Sequence, residues 1–312
     1  MSSTAHPNRW FGAERNRGDV GGVEPVPVRR RDLLTAALCT AALSGCSVVD
    51  RLRGTPQRAV PEAPGDTTRA APPTPGTPAE IAARSTVPVL CYHQVREYTA
   101  ADGAGARPLI CPPAVLRRQL EGMLAAGMQP VTGEALVDHL QLGTPLADNA
   151  VLVSFDDASG GQYTNALPIL QRLGVPATFF VMTVVLDRPN WLSRDDVRAL
   201  DAAGMTIASH TWDHHPVTRY GEKDWTTQLA KPREQLGQIV GHDVELFAYP
   251  YGLWNQAALP HVQAAGYRAA FQLTEQPQDA RLPLLTVRRV LTLPTWDVPT
   301  LLARISPDHP AG

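Results

Sequence analysis

Two adjacent carboxylates end the stretch Val151-Leu152-Val153-Ser154-Phe155-Asp156-Asp157. A short, largely apolar run of this kind predicts a strand that is buried on both faces. Neighbouring like charges repel each other and resist desolvation, so the stability of a strand does not explain the pair. A bound metal or a bound proton would explain the pair, because either one offsets the repulsion between the two carboxylates. Candidate metal ligands follow downstream, in Ser209-His210-Thr211-Trp212-Asp213-His214-His215-Pro216, and we expect the fold to bring these two segments together.

Strand-like and helix-like stretches alternate from residue 87 to residue 305. Apolar residues at helical spacing, often followed by Gly, predict helices over residues 113–126, 132–142, 166–173, 194–203, 225–239, 254–265 and 298–305. Short apolar runs predict strands over residues 87–93, 129–131, 151–155, 177–181, 206–209, 245–249, 269–273 and 286–290. This alternation predicts an α/β fold of about seven parallel strands, and the number of units favours a (β/α) barrel over an open sheet.

Polar side chains follow four of these predicted strands. They are His93, the Asp156–Asp157 pair, His210 with His214, and residues 249–251. The chemistry of a (β/α) barrel sits at the carboxyl ends of its strands. We therefore expect all four groups to meet at one rim of the barrel.

Two His residues four positions apart and one carboxylate from another strand make a His₂Asp metal site. Imidazole and carboxylate suit Zn²⁺ with one position left for water, and such a metal lowers the pKa of that water and polarises a carbonyl. The second Asp is then free to act as a general base. His215 is an alternative to His214 as the ligand, or a group that supports it.

Three segments carry a resemblance to a known family. Residues 154–157, 210–214 and 247–252 resemble the successive motifs of the polysaccharide deacetylases, the NodB-homology domain of carbohydrate esterase family 4. The resemblance implies a distorted (β/α) barrel and a metal-dependent hydrolase that removes acetyl groups from sugar polymers. Carried over, it implies Asp156 as catalytic base, a metal bound by Asp157, His210 and His214, and the backbone N–H of Tyr251 as an oxyanion donor.

The sequence departs from the family pattern twice. The third motif usually begins with an Arg that orders the base, and Ala248 stands there; the late His that supplies the acid is also absent. Both departures resemble the circularly permuted exopolysaccharide N-deacetylases, in which a strand ending in Tyr-His opens the domain. That branch implies His93 as the acid, although His93 by itself also fits a core histidine. Arg288 or Arg289 is a candidate partner for a carboxylate near the site.

Several other side chains are candidates for substrate contact or for a structural role. We predict that Trp212, Tyr249 and Pro250 contact substrate. Trp191 is either a sugar platform or a packing residue, since large aromatic residues serve both roles. Asp213 either orients a ligand His or is solvated. Cys91 and Cys111 either pair in a disulfide or stay as buried thiols.

The N-terminal region resembles an export signal. Residues 29–31 are Arg, an apolar run follows from residue 33 to residue 43, and Leu43-Ser44-Gly45-Cys46 resembles a bacterial lipobox. We predict a signal peptide at residues 1–46 with a lipidated Cys46, a Pro-, Ala- and Thr-rich linker at 47–86, the catalytic domain at 87–306 and a tail at 307–312. Arg30-Arg31 also resembles a twin-arginine signal. The residues before them are either an extended leader or the product of a start codon placed too early.

These features combine into one functional prediction. A net charge of −2 gives no basic surface for nucleic acid. We expect an exported hydrolase that cleaves acetamide groups of an N-acetylglucosamine polymer (poly-N-acetylglucosamine, peptidoglycan or a chitin-like chain), lipid-anchored to the outer face of the bacterial cell membrane or secreted. The cofactor is a divalent metal, Zn²⁺ first, with Co²⁺, Ni²⁺ or Mn²⁺ as alternatives. The alternative functions are an O-acetyl esterase of the xylan type and a catalytically impaired glycan-binding lipoprotein.

Overall fold

The computed structural model of the protein describes residues 74–273 and 276–306. The predicted signal peptide, Cys46, the linker up to residue 73 and the tail lie outside these residues. The strands are β1 (Val89–Tyr92), β2 (Gln94–Val95), β3 (Ile110–Cys111), β4 (Gln129–Val131), β5 (Ala150–Asp156), β6 (Thr178–Val181), β7 (Thr206–Ser209), β8 (Leu246–Ala248), β9 (Ala269–Gln272), β10 (Val287–Arg288) and β11 (Val290–Leu291). The helices are α1 (Pro78–Arg84), α2 (Pro113–Ala125), α3 (Gly133–Leu142), α4 (Leu167–Leu173), α5 (Arg194–Ala202), α6 (Glu222–Trp225), α7 (Lys231–Val240), α8 (Leu259–Ala264) and α9 (Val298–Ile305).

One sheet of parallel strands forms the centre of the domain. Its order is β10-β9-β8-β7-β6-β5-β1-β11, and β4 pairs in addition with the start of β5. Only Arg289 separates β10 from β11, so the single segment 287–291 pairs with β9 at one end and with β1 at the other. This segment joins the two edges of the sheet. The prediction of a distorted (β/α) barrel of about seven parallel strands is confirmed.

The twofold side-chain period of β5 divides its residues between two environments. Val151, Val153 and Phe155 pack in the apolar layer between the barrel and its helices. Leu152 belongs to the other set, inside the barrel. By the same alternation Asp156 shares the inward side with Leu152, whereas Asp157 lies just beyond the end of the strand. The alternation therefore sends the two carboxylates in different directions and lets them take different roles.

Helix α1 corrects the predicted extent of the linker. Residues 78–84 were assigned to a spacer without secondary structure, but Thr77 and Glu80 form a capping box and Pro78 occupies the first turn. Ile81 is buried in the cluster that also holds Leu136 and Leu140 of α3. The ordered domain thus includes α1, because one buried side chain anchors a helix that the Pro-rich composition concealed.

Helix α8 begins later than predicted, and one strand pair was missed. Residues 254–258 were expected to be helical. Instead Trp254 donates its indole N–H to Gln272 Oε1 at 2.7 Å, and Asn255 Oδ1 accepts from the N–H of Ala258. These side-chain bonds hold a turn in front of the helix. Strands β2 and β3 pair in a separate two-stranded sheet.

Cys91 and Cys111 are both buried and both free thiols. Of the two predicted alternatives, the structure has the unpaired one. No helix within residues 74–273 and 276–306 is long and apolar enough to cross a membrane.

Candidate active site

The inward carboxylate at the end of β5 is held by one arginine. Arg289 donates from Nη1 to Asp156 Oδ1 at 2.6 Å and from Nη2 to Asp156 Oδ2 at 2.8 Å. Both side chains are almost fully buried, with 0% and 1% of their surface exposed. The guanidinium also lies over the Phe180 ring, 4.9 Å from its centroid. A planar guanidinium bound through two parallel hydrogen bonds fixes the orientation of a carboxylate.

This ion pair sets the charge of Asp156. Burial on its own would raise the pKa of the carboxyl group, but the charge of Arg289 outweighs it, with a further contribution from His210, and the pKa of Asp156 is lowered. Asp156 is therefore ionised at neutral pH. A buried, oriented and ionised carboxylate is suited to accept a proton.

Asp157, His210 and His214 converge beside Asp156. One donor atom from each lies within 4.8 Å of the other two. Asp157 Oδ1 is 3.4 Å from Nε2 of His210 and 3.4 Å from Nε2 of His214. A tetrahedral Zn²⁺ with ligand bonds near 2.0 Å places its ligand atoms about 3.3 Å apart. Asp157 Oδ1 is buried without a hydrogen bond, so the three residues fit a divalent metal.

The two imidazoles are prepared to act as ligands. His210 Nδ1 lies 2.8 Å from the carbonyl oxygen of Ala248, which can only accept, so Nδ1 carries a proton and Nε2 faces Asp157. Burial, helped by the neighbouring His210, lowers the pKa of His214 to about 4. His214 is thus neutral at physiological pH, and neutral imidazole is the form that binds metals.

The structure separates His214 from His215. His214 Nε2 faces Asp157, while His215 stacks on Tyr220 at a centroid distance of 5.9 Å. We therefore expect His214→Ala to weaken Zn²⁺ binding by at least about 100-fold and His215→Ala to change it little. Isothermal titration of metal-free protein measures both affinities. A loss of binding in His215→Ala with normal binding in His214→Ala would reverse the assignment.

His93 lies on the Asp156 side of the site. Cys91, His93 and Asp156 form a second group whose donor atoms lie within 4.8 Å of one another. Gln162, fully buried, donates its amide N–H groups to the backbone carbonyls of His93 and Asp156. Gln162 thereby ties the end of β1 to the end of β5. The predicted acid and the predicted base are held near each other by backbone contacts.

The residues of the third motif, 247–252, do not all face the site as predicted. Tyr249 is fully buried and donates its hydroxyl to the carbonyl of Leu285 at 2.8 Å, and Pro250 is also buried. The prediction that Tyr249 and Pro250 contact substrate is therefore wrong for Tyr249, whose ring and hydroxyl are used by the core. Pro250 stands in the turn that presents the next residue. Tyr251 is 55% exposed, and its ring packs edge-on against His214 at 4.4 Å.

Unusual backbone conformations concentrate at this site. Seven non-glycine residues within the described ranges have positive φ, and five of them are in or beside the motifs: Asp157, Ala158, Thr211, His214 and Tyr251. Residues with side chains rarely adopt this conformation, and they persist in it where surrounding contacts impose it, commonly at functional sites. The clustering indicates that the position of these side chains is under constraint.

Trp212 and Trp191 lie in different environments. Trp212 is 41% exposed, and its backbone N–H donates to Gln228 Oε1. Trp191 packs partly on the apolar core, which is one of its two predicted roles, and it lines a cavity of about 920 Å³ with Ser159, two residues beyond Asp157. Asp213 accepts from the N–H of His215 and from Gln228, so it orders the ligand loop and does not contact a ligand imidazole.

Two residues of the site were not assigned from the sequence. Arg289 was one of two candidates, with Arg288, for a carboxylate partner, and its position in the last predicted strand was the available signal. Gln162 had no signal, since nothing in its local sequence marks a residue that bridges two strand ends. Both contact Asp156, Arg289 from 133 positions away in the chain and Gln162 from six.

One known protein family matches the part of the chain that holds most of the site residues. The family model described as polysaccharide deacetylase matches residues 143–270. This segment of the chain is therefore similar to a polysaccharide deacetylase domain. The family consists of hydrolases that act on the acetyl groups of polysaccharides. The match runs from before β5 into the start of β9 and includes Asp156, Asp157, His210 and His214, whereas His93 and Arg289 lie outside it.

Two curated relatives are similar to this chain over part of its length. YxkH of Bacillus subtilis strain 168 is 21% identical over 182 residues, 58% of this chain and 62% of its own length. The poly-β-1,6-N-acetyl-D-glucosamine N-deacetylase of Staphylococcus aureus strain MRSA252 is 28% identical over 141 residues, 41% of this chain and 49% of its own length. The chain therefore spans about half to three-fifths of the length of these relatives.

Two solved structures share the fold of this chain. IcaB from Ammonifex degensii superposes with a TM-score of 0.60 and 25% identity, over 70% of this chain and 96% of that one. The Streptococcus pyogenes deacetylase PplD, solved with acetate, superposes with a TM-score of 0.65 and 24% identity, over 70% of this chain and 98% of that one. At 24% identity, the similarity to PplD is a similarity of fold alone.

Proposed function

We propose that this chain is a metal-dependent N-deacetylase that hydrolyses acetamide groups of an N-acetylglucosamine polymer. The observation that carries the proposal is the ionised Asp156, clamped by Arg289, beside the three metal-fitting side chains Asp157, His210 and His214. The Staphylococcus aureus relative is an N-deacetylase of poly-β-1,6-N-acetyl-D-glucosamine, and this likeness supports the choice of an amide substrate.

The residues of the site divide the reaction among them. When bound, the divalent cation supplies a Lewis acid that polarises the acetyl carbonyl and lowers the pKa of water. Asp156 accepts a proton from the attacking water, and the N–H of Tyr251 donates to the oxyanion of the tetrahedral intermediate. His93 gives a proton to the sugar nitrogen as the C–N bond breaks. The products are acetate and a free amino sugar.

Arg289 weakens the case for the alternative function, a glycan-binding protein without catalytic activity. That alternative rested on Ala248 in place of the arginine that orders the base. In this structure Arg289 makes two hydrogen bonds to the base from the segment that closes the barrel. The same role is thus filled from another strand, and the reason for expecting an impaired enzyme falls away.

Acetate release tests the proposal directly. The purified protein is incubated with N-acetylglucosamine oligomers of β-1,4 and β-1,6 linkage, with one equivalent of Zn²⁺ or Co²⁺ or with a chelator, and with an O-acetylated xylan oligomer for comparison. We expect metal-dependent release from at least one amide substrate. Release from the ester alone would favour the O-acetyl esterase, and tight oligomer binding without release by metal-loaded protein would favour a binding protein.

Trp212 provides a test of substrate contact. Its side chain is 41% exposed and lies in the sequence between His210 and His214, and we expect Trp212→Ala to raise KM about tenfold, equivalent to about 1.4 kcal/mol of binding, with a smaller effect on kcat. The matched control is Trp296→Ala, since Trp296 packs under Arg304 near α9. Initial rates on the preferred oligomer measure both constants. An unchanged KM in Trp212→Ala would remove this residue from the binding surface.

The cellular location is a further part of the proposal. We propose export of the chain and lipidation of Cys46, with residues 47–73 spacing the catalytic domain from the outer face of the membrane. The support is the order of basic, apolar and small residues before Cys46. Metabolic labelling with a fatty-acid probe tests it, with Cys46→Ser as control. Equal labelling of both proteins would contradict lipidation at Cys46.

A further inference from the structure

A second group of metal-binding side chains adjoins the first. Cys91, His93 and Asp156 each bring one donor atom within 4.8 Å of the others, and this group shares no residue with Asp157, His210 and His214. Cys91 is fully buried, as is Asp156, and His93 is half-buried. The described part of the chain holds these two groups and no other of this kind.

The fold explains why the thiol lies at this place. Cys91 of β1 pairs with Ser154 of β5, two residues before Asp156. Its Sγ lies 3.9 Å from Nδ1 of His93. A tetrahedral Zn²⁺ with bonds of about 2.3 Å to sulfur and 2.0 Å to nitrogen separates those two atoms by about 3.5 Å. The observed spacing needs only a small side-chain adjustment.

We propose that Cys91, His93 and Asp156 form a second, weaker site for a thiophilic divalent cation such as Zn²⁺, and that filling it inhibits the enzyme. Thiolate, imidazole and carboxylate together are a donor set that Zn²⁺ and Co²⁺ accept. The inhibition rests on the proposed function, because the cation would engage both the base Asp156 and the acid His93. The binding does not depend on that function.

The surrounding charges make this site weaker than the first. Arg289 already donates to both oxygens of Asp156, and a cation held by Asp157, His210 and His214 adds further positive charge nearby. Each carboxylate oxygen still has a second lone pair for a ligand bond. Burial raises the pKa of the Cys91 thiol well above its usual range, so the thiol is neutral until a cation displaces its proton into solvent.

Cobalt reports the two sites differently. A cation bound by Asp157, His210 and His214 has no sulfur ligand, whereas one bound by Cys91 has a thiolate-to-cobalt charge-transfer band in the near ultraviolet. In a titration of metal-free protein with Co²⁺, we expect the first equivalent to produce no such band and further equivalents to produce it. Cys91→Ser should abolish the band, and Cys111→Ser, which removes another buried thiol, should keep it.

Activity gives the second readout. We expect acetate release by the wild type to fall about tenfold between one equivalent of Zn²⁺ and an excess that fills the second site. In Cys91→Ser, measured against its own rate at one equivalent, the fall should be absent, and Cys111→Ser should behave as the wild type.

The two proposals fail in distinguishable ways. A wild type with no thiolate band at any Co²⁺ excess, or a band that survives in Cys91→Ser, would overturn the second site whatever the enzyme does. A band that depends on Cys91 without any acetate release at one equivalent of metal would support the site and overturn the deacetylase function. A Cys91-dependent band with undiminished activity in excess Zn²⁺ would overturn the inhibition.

Discussion

Asp156→Asn is expected to lower the kcat of acetate release by about 10³-fold. The amide has nearly the shape of the carboxylate, but it cannot accept the proton of the attacking water, and a positioned general base contributes about 10²–10⁴-fold. The metal ligands Asp157, His210 and His214 are untouched. We therefore expect the variant to bind one equivalent of Zn²⁺ as the wild type does, measured by titration calorimetry beside the rate assay.

A matched substitution controls for the loss of an ion pair. Asp138→Asn removes the partner of Arg268 at 2.7 Å on the outer surface, where the aspartate side chain is 42% exposed. It should leave kcat unchanged, because an exposed pair of this kind contributes little to stability. If Asp156→Asn kept more than about a tenth of the wild-type rate, Asp156 would not be the base.

Arg289→Met is expected to have the largest effect on stability. Removing one partner of a buried ion pair leaves the other charge desolvated without compensation, at a cost of about 3–5 kcal/mol. Arg289 is fully buried and holds both oxygens of Asp156. The free energy of unfolding from denaturant titration measures the loss, and Arg172→Met, which removes an exposed arginine of α4, is the control. A change of less than about 1 kcal/mol would contradict the role given to this pair.

Arg289→Lys tests the same pair in a protein that keeps the positive charge. One ammonium cannot replace two parallel hydrogen bonds, so we expect a lower kcat from a less well oriented Asp156. Burial raises and Arg289 lowers the pKa of Asp156. Weakening the contact therefore raises this pKa, less Asp156 is ionised at low pH, and the acid limb of kcat/KM moves to higher pH. An acid limb at the wild-type position would show that Arg289 does not control the charge of Asp156.

Local sequence was sufficient to predict the barrel and the end of it at which the polar residues lie. The short apolar run of residues 151–155, and the alternation of such runs with helical stretches, predicted the strands of the barrel, although not the separate pair β2 and β3. It also predicted that the polar residues after β1, β5, β7 and β8 would lie at one end of the barrel. These are properties of neighbouring residues, because backbone geometry alone determines which face of a strand a side chain occupies.

The predictions from the sequence were wrong where contacts between residues far apart in the chain determine the structure. Tyr249 looked like a substrate contact, but its hydroxyl reaches Leu285, 36 residues further along the chain. The segment before Arg84 looked like a spacer until burial of Ile81 in the cluster with α3 anchored it as a helix. No local pattern reports such contacts, since they depend on which elements the closed barrel brings together.

The sequence by itself determined the fold class, the candidate base, the metal-fitting residues and a candidate acid. Only the tertiary structure decided which arginine orders Asp156, which of His214 and His215 faces Asp157, and whether Cys91 pairs with Cys111. Arg289 and Asp156 are separated by 133 positions and meet because residues 287–291 close the barrel between β9 and β1. Local backbone geometry determines which face of a strand a side chain occupies. The closure of the whole sheet determines which distant residue that side chain contacts.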